Sequence, residues 1–196
     1  SGGLASAMQH KAPHFSYPNV NIHNGILMFC GSHSQIAHQQ IKAALDQDLI
    51  DYYEIDPQIL IDGDTDPLTI LKPLIKGRTI AVAVGRRILD DDVQTVGDRI
   101  QDAVGKLISN IFNVHCPGAL IVTGGDTALS ICRHLGAWGI QISGEVEPGV
   151  PFGYLQGRRY NGIPIITKSG SFGDSMIFNR ILEGLSANAK QKTIQQ

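Results

Sequence analysis

The sequence predicts an α/β fold: a Rossmann-like three-layer domain with a mainly parallel or mixed sheet flanked by helices. Apolar runs of strand length recur along the chain, each ends in glycine or a polar cluster, and each is followed by a segment with helical spacing. That alternation is the mark of a sheet covered by helices. With 196 residues, 42% of them hydrophobic, the chain is long enough to bury such a core.

Residues 1–24 are rich in Gly, Ala, His, Pro and Asn without a period, so they read as a linker from an absent upstream domain, and the folded domain is expected over 25–196. The first strand is GILMFC at 25–30, followed by a helix over 35–47 with Ile36, Gln40, Ile41, Ala44 and Leu45 on one face. A second strand is expected in DYYEI at 51–55. A short helix follows Asp66 and Pro67, a good N-cap and a good first helical residue. TIAVAV at 79–84 is unbroken small and β-branched apolar sequence, expected to form a central strand buried on both faces.

Val93, Val96, Ile100, Val104, Leu107, Ile108 and Ile111 recur at helical spacing, which predicts a long amphipathic helix over 91–112 whose stripe is core. GALIVT at 118–123 is the next strand, with a helix from about Thr127 to Leu135 closed by Gly136. Residues 139–155 read as a strand, a tight Pro-Gly turn and an antiparallel return. The last unit is IPIITK at 163–168, a glycine loop, and the helix SMIFNRILEGL at 175–185, after which a polar tail is expected to fray.

A net charge of −2 and a pI near 6.3 supply no basic field for a nucleic-acid backbone or an anionic membrane. The apolar runs at 25–30 and 79–84 are far short of the ~20 residues of a membrane helix, and the chain does not open on a signal-peptide pattern. The expectation is a soluble, cytoplasmic protein. Cys30, Cys116 and Cys132 form no CxxC pair and read as reduced, mostly buried thiols.

Three strand-to-helix turns are rich in glycine. Gly124, Gly125, Asp126 and Thr127 combine close backbone approach, an anion nest and a helix N-terminus carrying about half a positive charge. Lys168, Gly170 and Gly173 belong to a second turn, KSGSFGD at 168–174, where backbone amides, two hydroxyls and one mobile cation could meet a phosphate chain. Gly31, Ser32, His33 and Ser34 form the third, with Ser34 as helix N-cap. The plain alternative for each is a tight turn capped by Asp126, Thr127 or Asp174. In open α/β sheets, ligands sit at the carboxyl ends of the strands, the edge to which all three turns belong.

The sequence has no GxxxxGK[ST], GxGxxG or GxSxG motif and no zinc-ligand spacing. Glu145 stands 20 residues after Gly125, where a ribose-binding acid stands in some Rossmann units; Glu145 and Glu147 otherwise read as a solvated strand face.

GSHSQIAHQQ at 31–40, TGGDTA at 123–128, GEVEPGVPFG at 144–153 and TKSGSFGD at 167–174 together resemble the C-terminal nucleotide-binding domain of the four-carbon acid-sugar kinases, the YgbK-like proteins. The resemblance covers most of that domain and implies an ATP-dependent sugar-acid kinase whose N-terminal domain holds the acceptor. Residue by residue it implies that Ser32, Gly124, Gly125, Asp126, Thr127 and Gly170 contact ATP, with Lys168 and Gly173 as neighbours. Ala37 stands where the family usually has threonine and Ser171 where a second glycine is common; neither change removes a main-chain donor.

On that reading ATP and Mg2+ are the cofactors, with Asp126 the metal-contacting carboxylate. A threonate, erythronate or 3-oxo-tetronate type acid is the acceptor, the catalytic base lies on the absent domain, and a homo-oligomer is left open. This chain alone would turn over poorly. A nicotinamide-dependent oxidoreductase and a non-catalytic nucleotide or sugar-acid binding module stand as alternatives.

Overall fold

A computed structural model describes residues 17–31, 34–85 and 93–194. In chain order the elements are β1 (Ile26–Cys30), α1 (Gln35–Asp46), β2 (Asp51–Ile55), α2 (Pro57–Asp62), α3 (Leu68–Ile75), β3 (Thr79–Val84), α4 (Val93–Val114), β4 (Ala119–Thr123), α5 (Gly125–His134), β5 (Ala137–Glu147), β6 (Val150–Gly157), β7 (Pro164–Lys168) and α6 (Ile177–Ile194). The strands form one sheet in the order β2-β3-β1-β4-β7-β6-β5. The first five run parallel, while β6 is antiparallel to both of its neighbours. This is the mainly parallel, helix-flanked α/β fold that the sequence predicts.

Successive side chains of a strand point to opposite faces, so the unbroken apolar sequence of β1 and β4 feeds two cores at once. Leu27, Phe29, Leu120 and Val122 face the layer containing Leu60 of α2, Ile70 of α3, Ile108 of α4 and Ile131 of α5. Met28, Cys30 and Ile121 face the layer containing Ile41 of α1 and Phe178 and Ile181 of α6. Every one of these residues is buried.

Register positions the loops. Cys30 stands opposite Thr123, and Thr123 opposite Lys168, so β1, β4 and β7 end level with one another. The line continues one residue further: the amide of Gly31 donates to the carbonyl of Thr123 at 3.1 Å and that of Gly124 to Lys168 at 3.0 Å. The three glycine turns therefore leave the sheet side by side at its carboxyl edge.

Several expectations change. Residues 80–84 are buried, but their strand lies second from the edge, because β2 alone flanks it on one side. Asp56 and Pro57 start α2, a helix absent from the sequence reading although they carry the same cap-and-proline signal as Asp66 and Pro67. On α1 the buried residues are Ala37, Gln40, Ile41 and Ala44, leaving Leu45 exposed. Helix α5 begins at Gly125, two residues earlier than expected. Helix α6 runs through the polar tail to Ile194, held where Asn188 donates to the carbonyls of Tyr17 and Pro18. Those contacts also pack residues 17–24, with Val20 buried and a 3-10 turn at Ile22–Asn24, although the sequence reads them as linker.

Candidate functional site

The first turn of α5 is an open helix terminus. Gly124 is its N-cap at φ +99°, a left-handed value that favours glycine, and it makes no side-chain cap hydrogen bond among the described residues. Asp126 and Thr127 do not cap it, as the plain alternative supposed; both lie inside the helix. The first amides of a helix have no intrahelical acceptor and carry the positive end of its dipole. A Cβ built on Gly125 meets nothing within 4 Å, so no protein packing demands a glycine there.

Beside it, the segment 169–174 turns its carbonyls inward. Lys168 is 4% exposed, and its Nζ donates to the carbonyls of Ser169 at 2.8 Å, Gly170 at 3.4 Å and Phe172 at 3.0 Å. Its charge also lies 5.4 Å from the centre of the Phe178 ring. Burial holds its pKa below the usual lysine value. Gln40 of α1 is fully buried, and its Nε2 reaches the carbonyls of Phe172 at 2.9 Å, Gly173 at 3.2 Å and Asp174 at 3.0 Å. Ser34, which also caps α1 through the amide of Ala37, donates from Oγ to the carbonyl of Gly170 at 3.2 Å. Arg180 fastens the far end by pairing with both Asp174 and Glu147.

A cavity of about 350 Å3 opens between these two turns, lined by Gly124, Gly125, Lys168 and Gly170, with Gly149 of the β5–β6 turn and Pro151 at the start of β6 also in its lining. It is at the low end of the roughly 300–1,000 Å3 of ligand sites. Of two larger clefts, the one of about 640 Å3 between α2 and α4 contains none of the three glycine turns, and the one of about 510 Å3 between α4 and α5 takes only Asp126 from them.

The residues singled out in the sequence divide accordingly. Gly124, Gly125, Lys168 and Gly170 meet at this cavity. Lys168 does so as a buried anchor of the loop; the expected mobile cation is not what its geometry provides. Thr127 is 2% exposed and turned against Gly31, so its side chain serves packing and only its amide belongs to the open helix end. Gly173 adopts φ +84°, and a Cβ there would collide with Ile177, which accounts for this glycine as a turn residue. Ser32, with His33, lies outside the described residues.

Asp126 is exposed and lines the α4–α5 cleft, and no group of three His, Cys, Asp or Glu residues able to hold a metal occurs among the described residues. These donors do not form a magnesium site by themselves; that ion usually takes one or two carboxylates together with substrate phosphates. Glu147 is paired with Arg180, and Glu145 accepts from the amide of Gly149 at 3.4 Å on the edge strand β5, away from any parallel strand end. Cys30, Cys116 and Cys132 are free thiols, with Cys30 and Cys132 buried. No described helix is long and apolar enough to cross a membrane.

Gln40 is the residue that the sequence reading passed over. Its signal was present: a carboxamide on the apolar face of α1 must find partners when buried.

A parallel sheet edge with an uncapped helix terminus and an amide-rich loop around one cavity defines a nucleotide-binding type of α/β domain. The chain belongs to the nucleotide-binding C-terminal domain family, whose model matches residues 27–178. Curated proteins similar to it are named as four-carbon acid-sugar kinases. It is 26% identical over 166 residues to the D-threonate kinase of Salmonella typhimurium, covering 76% of this chain and 39% of the relative. It is also 26% identical over 174 residues to the D-erythronate kinase of Heliobacterium modesticaldum, covering 76% and 39%. The chain thus spans about two fifths of the length of these curated relatives. Among solved structures it resembles a domain of unknown function from Bordetella bronchiseptica, a domain-swapped dimer with bound citrate. There the TM-score is 0.69 at 25% identity, with 83% of this chain and 41% of that one covered.

Proposed function

We propose that this chain is the ATP-binding half of a four-carbon acid-sugar kinase, and that Gly124, Gly125, the amides of Asp126 and Thr127, and Gly170 hold the phosphate chain. The observation that carries this is the convergence of the open α5 terminus and the 169–174 loop on one cavity at the carboxyl edge of β4 and β7. Ser32 keeps its place in the proposal by resemblance alone. The acceptor, a sugar acid of the threonate, erythronate or 3-oxo-tetronate type, is bound by a part of the enzyme corresponding to the length of the relatives that this chain does not cover.

In the reaction, the acceptor hydroxyl oxygen forms a bond to the γ-phosphorus as the bond from that phosphorus to the β–γ bridging oxygen breaks, releasing ADP. The hydroxyl proton passes to a base outside this chain. What this chain contributes is position and charge: amide donors that fix the triphosphate and a helix dipole that favours its negative charge.

The test is calorimetric titration of ATP, with magnesium present, into the chain and into a Gly125→Val, Gly170→Val variant. Saturable binding by the wild type and its loss in the variant support the assignment; no wild-type binding, or equal binding by both, sinks it.

A further inference from the structure

The 169–174 loop is organised by side chains that the cavity does not need for contact. Resting on the phosphate-site reading above, we propose that Gln40 and Lys168 are positioning residues for the nucleotide: they do not touch phosphate, but hold the loop's carbonyls inward and so aim its amides at the phosphates.

The carbonyls of Ser169, Gly170, Phe172, Gly173 and Asp174 all accept from Ser34, Gln40 or Lys168. Only that of Ser171 does not. In a planar trans peptide the C=O of one residue and the N–H of the next point in opposite directions, and the described residues contain no cis bond. A carbonyl drawn inward at Ser169 therefore sends the amide of Gly170 outward, and one drawn inward at Gly170 does the same for Ser171. Neither amide donates to any group among the described residues. Both are left as donors, and Gly170 lines the cavity shared with the open terminus of α5.

The division of labour is chemical. A lysine ammonium has three donors, and here it reaches three carbonyl oxygens. A neutral carboxamide turned the other way would place Oε1 against three carbonyl oxygens, so the orientation of Gln40 is fixed, at the cost of a buried Oε1 with no protein partner. Such an orphaned acceptor is accepted where the loop's arrangement matters more than local stability.

The experiment follows backbone amide NMR shifts of the chain during ATP titration, with magnesium, for wild type, Gln40→Met and Lys168→Met, each checked by thermal unfolding. In wild type, ATP is expected to shift Gly125, Thr127, Gly170 and Ser171. In a folded Gln40→Met chain the shifts at Gly125 and Thr127 persist, those at Gly170 and Ser171 collapse, and ATP affinity falls about tenfold. A merely structural role would not split the two sets. If Lys168→Met does not fold, Gln40→Met decides. Wild-type ATP response with an unchanged Gln40→Met response overturns this inference alone, as does equal loss at both sets of amides. No wild-type response overturns the phosphate-site reading and this inference with it.

Discussion

The Lys168 ammonium lies 3.0 Å from the carbonyl oxygen of Phe172, four residues along the same loop, and its charge stays inside the protein. A cation in that place changes how the site works. Its three donors are taken up by the carbonyl oxygens of Ser169, Gly170 and Phe172, which on the proposed reading would otherwise repel a triphosphate. On the proposed reading, the attraction for a triphosphate is left to main-chain amides, whose preorganised geometry would need little rearrangement on binding.

Gly125 separates stability from binding. A methyl there meets no atom within 4 Å, and its position is the first of α5. Gly125→Ala should therefore stabilise the chain by ~0.4–1 kcal/mol through the lower entropy of its unfolded state. It should also weaken ATP binding at least fivefold by crowding the amides. Thermal unfolding and calorimetry on the same sample check both; a variant with unchanged ATP affinity would remove Gly125 from the site.

Gly31 holds the opposite relationship, because a Cβ there would run into the Thr127 side chain and stand 2.9 Å from the carbonyl oxygen of Thr123. Gly31→Ala is expected to destabilise by ~1–3 kcal/mol, as overpacking does. Adding Thr127→Ala should recover part of that loss, and denaturant unfolding of the single and double variants measures the coupling.

The Arg180 clamp gives a pH signature. Hydrogen bonds from Arg180, with one from the Met176 amide, hold the Asp174 carboxyl below the usual carboxylate range. A folded value below the unfolded one means that the stabilisation is complete above the ordinary aspartate pKa of ~3.9 and is lost as the pH falls through the lowered folded value. Carboxyl NMR titration should show Asp174 protonating late in wild type and returning toward the ordinary value in Arg180→Gln. An unshifted wild-type Asp174 would contradict the clamp.

Burial pushes the Cys30 thiol up to about 12, against the opposing influence of the Lys168 charge. At pH 8 a thiol reagent should modify half-buried Cys116 first and leave Cys30 intact until the chain unfolds. Mass spectrometry of partially labelled chain distinguishes the sites, and rapid native labelling of Cys30 would show that Lys168 instead makes a thiolate there.

Much of this arrangement was legible in the sequence. The runs that became β1 and β4 are buried on both faces, and such strands have few other readings. The start of α5 was misplaced because Gly125 is a poor helix former and reads as turn; its place at a helix terminus, where an open N-terminal turn is tolerated, is a tertiary matter. The tail 186–194 has no apolar stripe to announce a helix, and its anchor, Asn188, finds Tyr17 and Pro18 about 170 residues away. The inward turn of Lys168 was likewise invisible, since a lysine beside glycines looks like a phosphate ligand until the carbonyls it binds are seen. Gln40 could have been flagged from its place on the apolar face of α1, though not the loop it holds, which lies more than 130 residues downstream.

The central claim is that ATP sits between the open terminus of α5 and the 169–174 loop. The most direct measurement is the map of backbone amide shifts when ATP with magnesium is added to the wild-type chain. The largest shifts should fall on Gly125, Thr127, Gly170 and Ser171; saturable shifts centred instead on Thr65 and Asn110, in the larger cleft between α2 and α4, would contradict it.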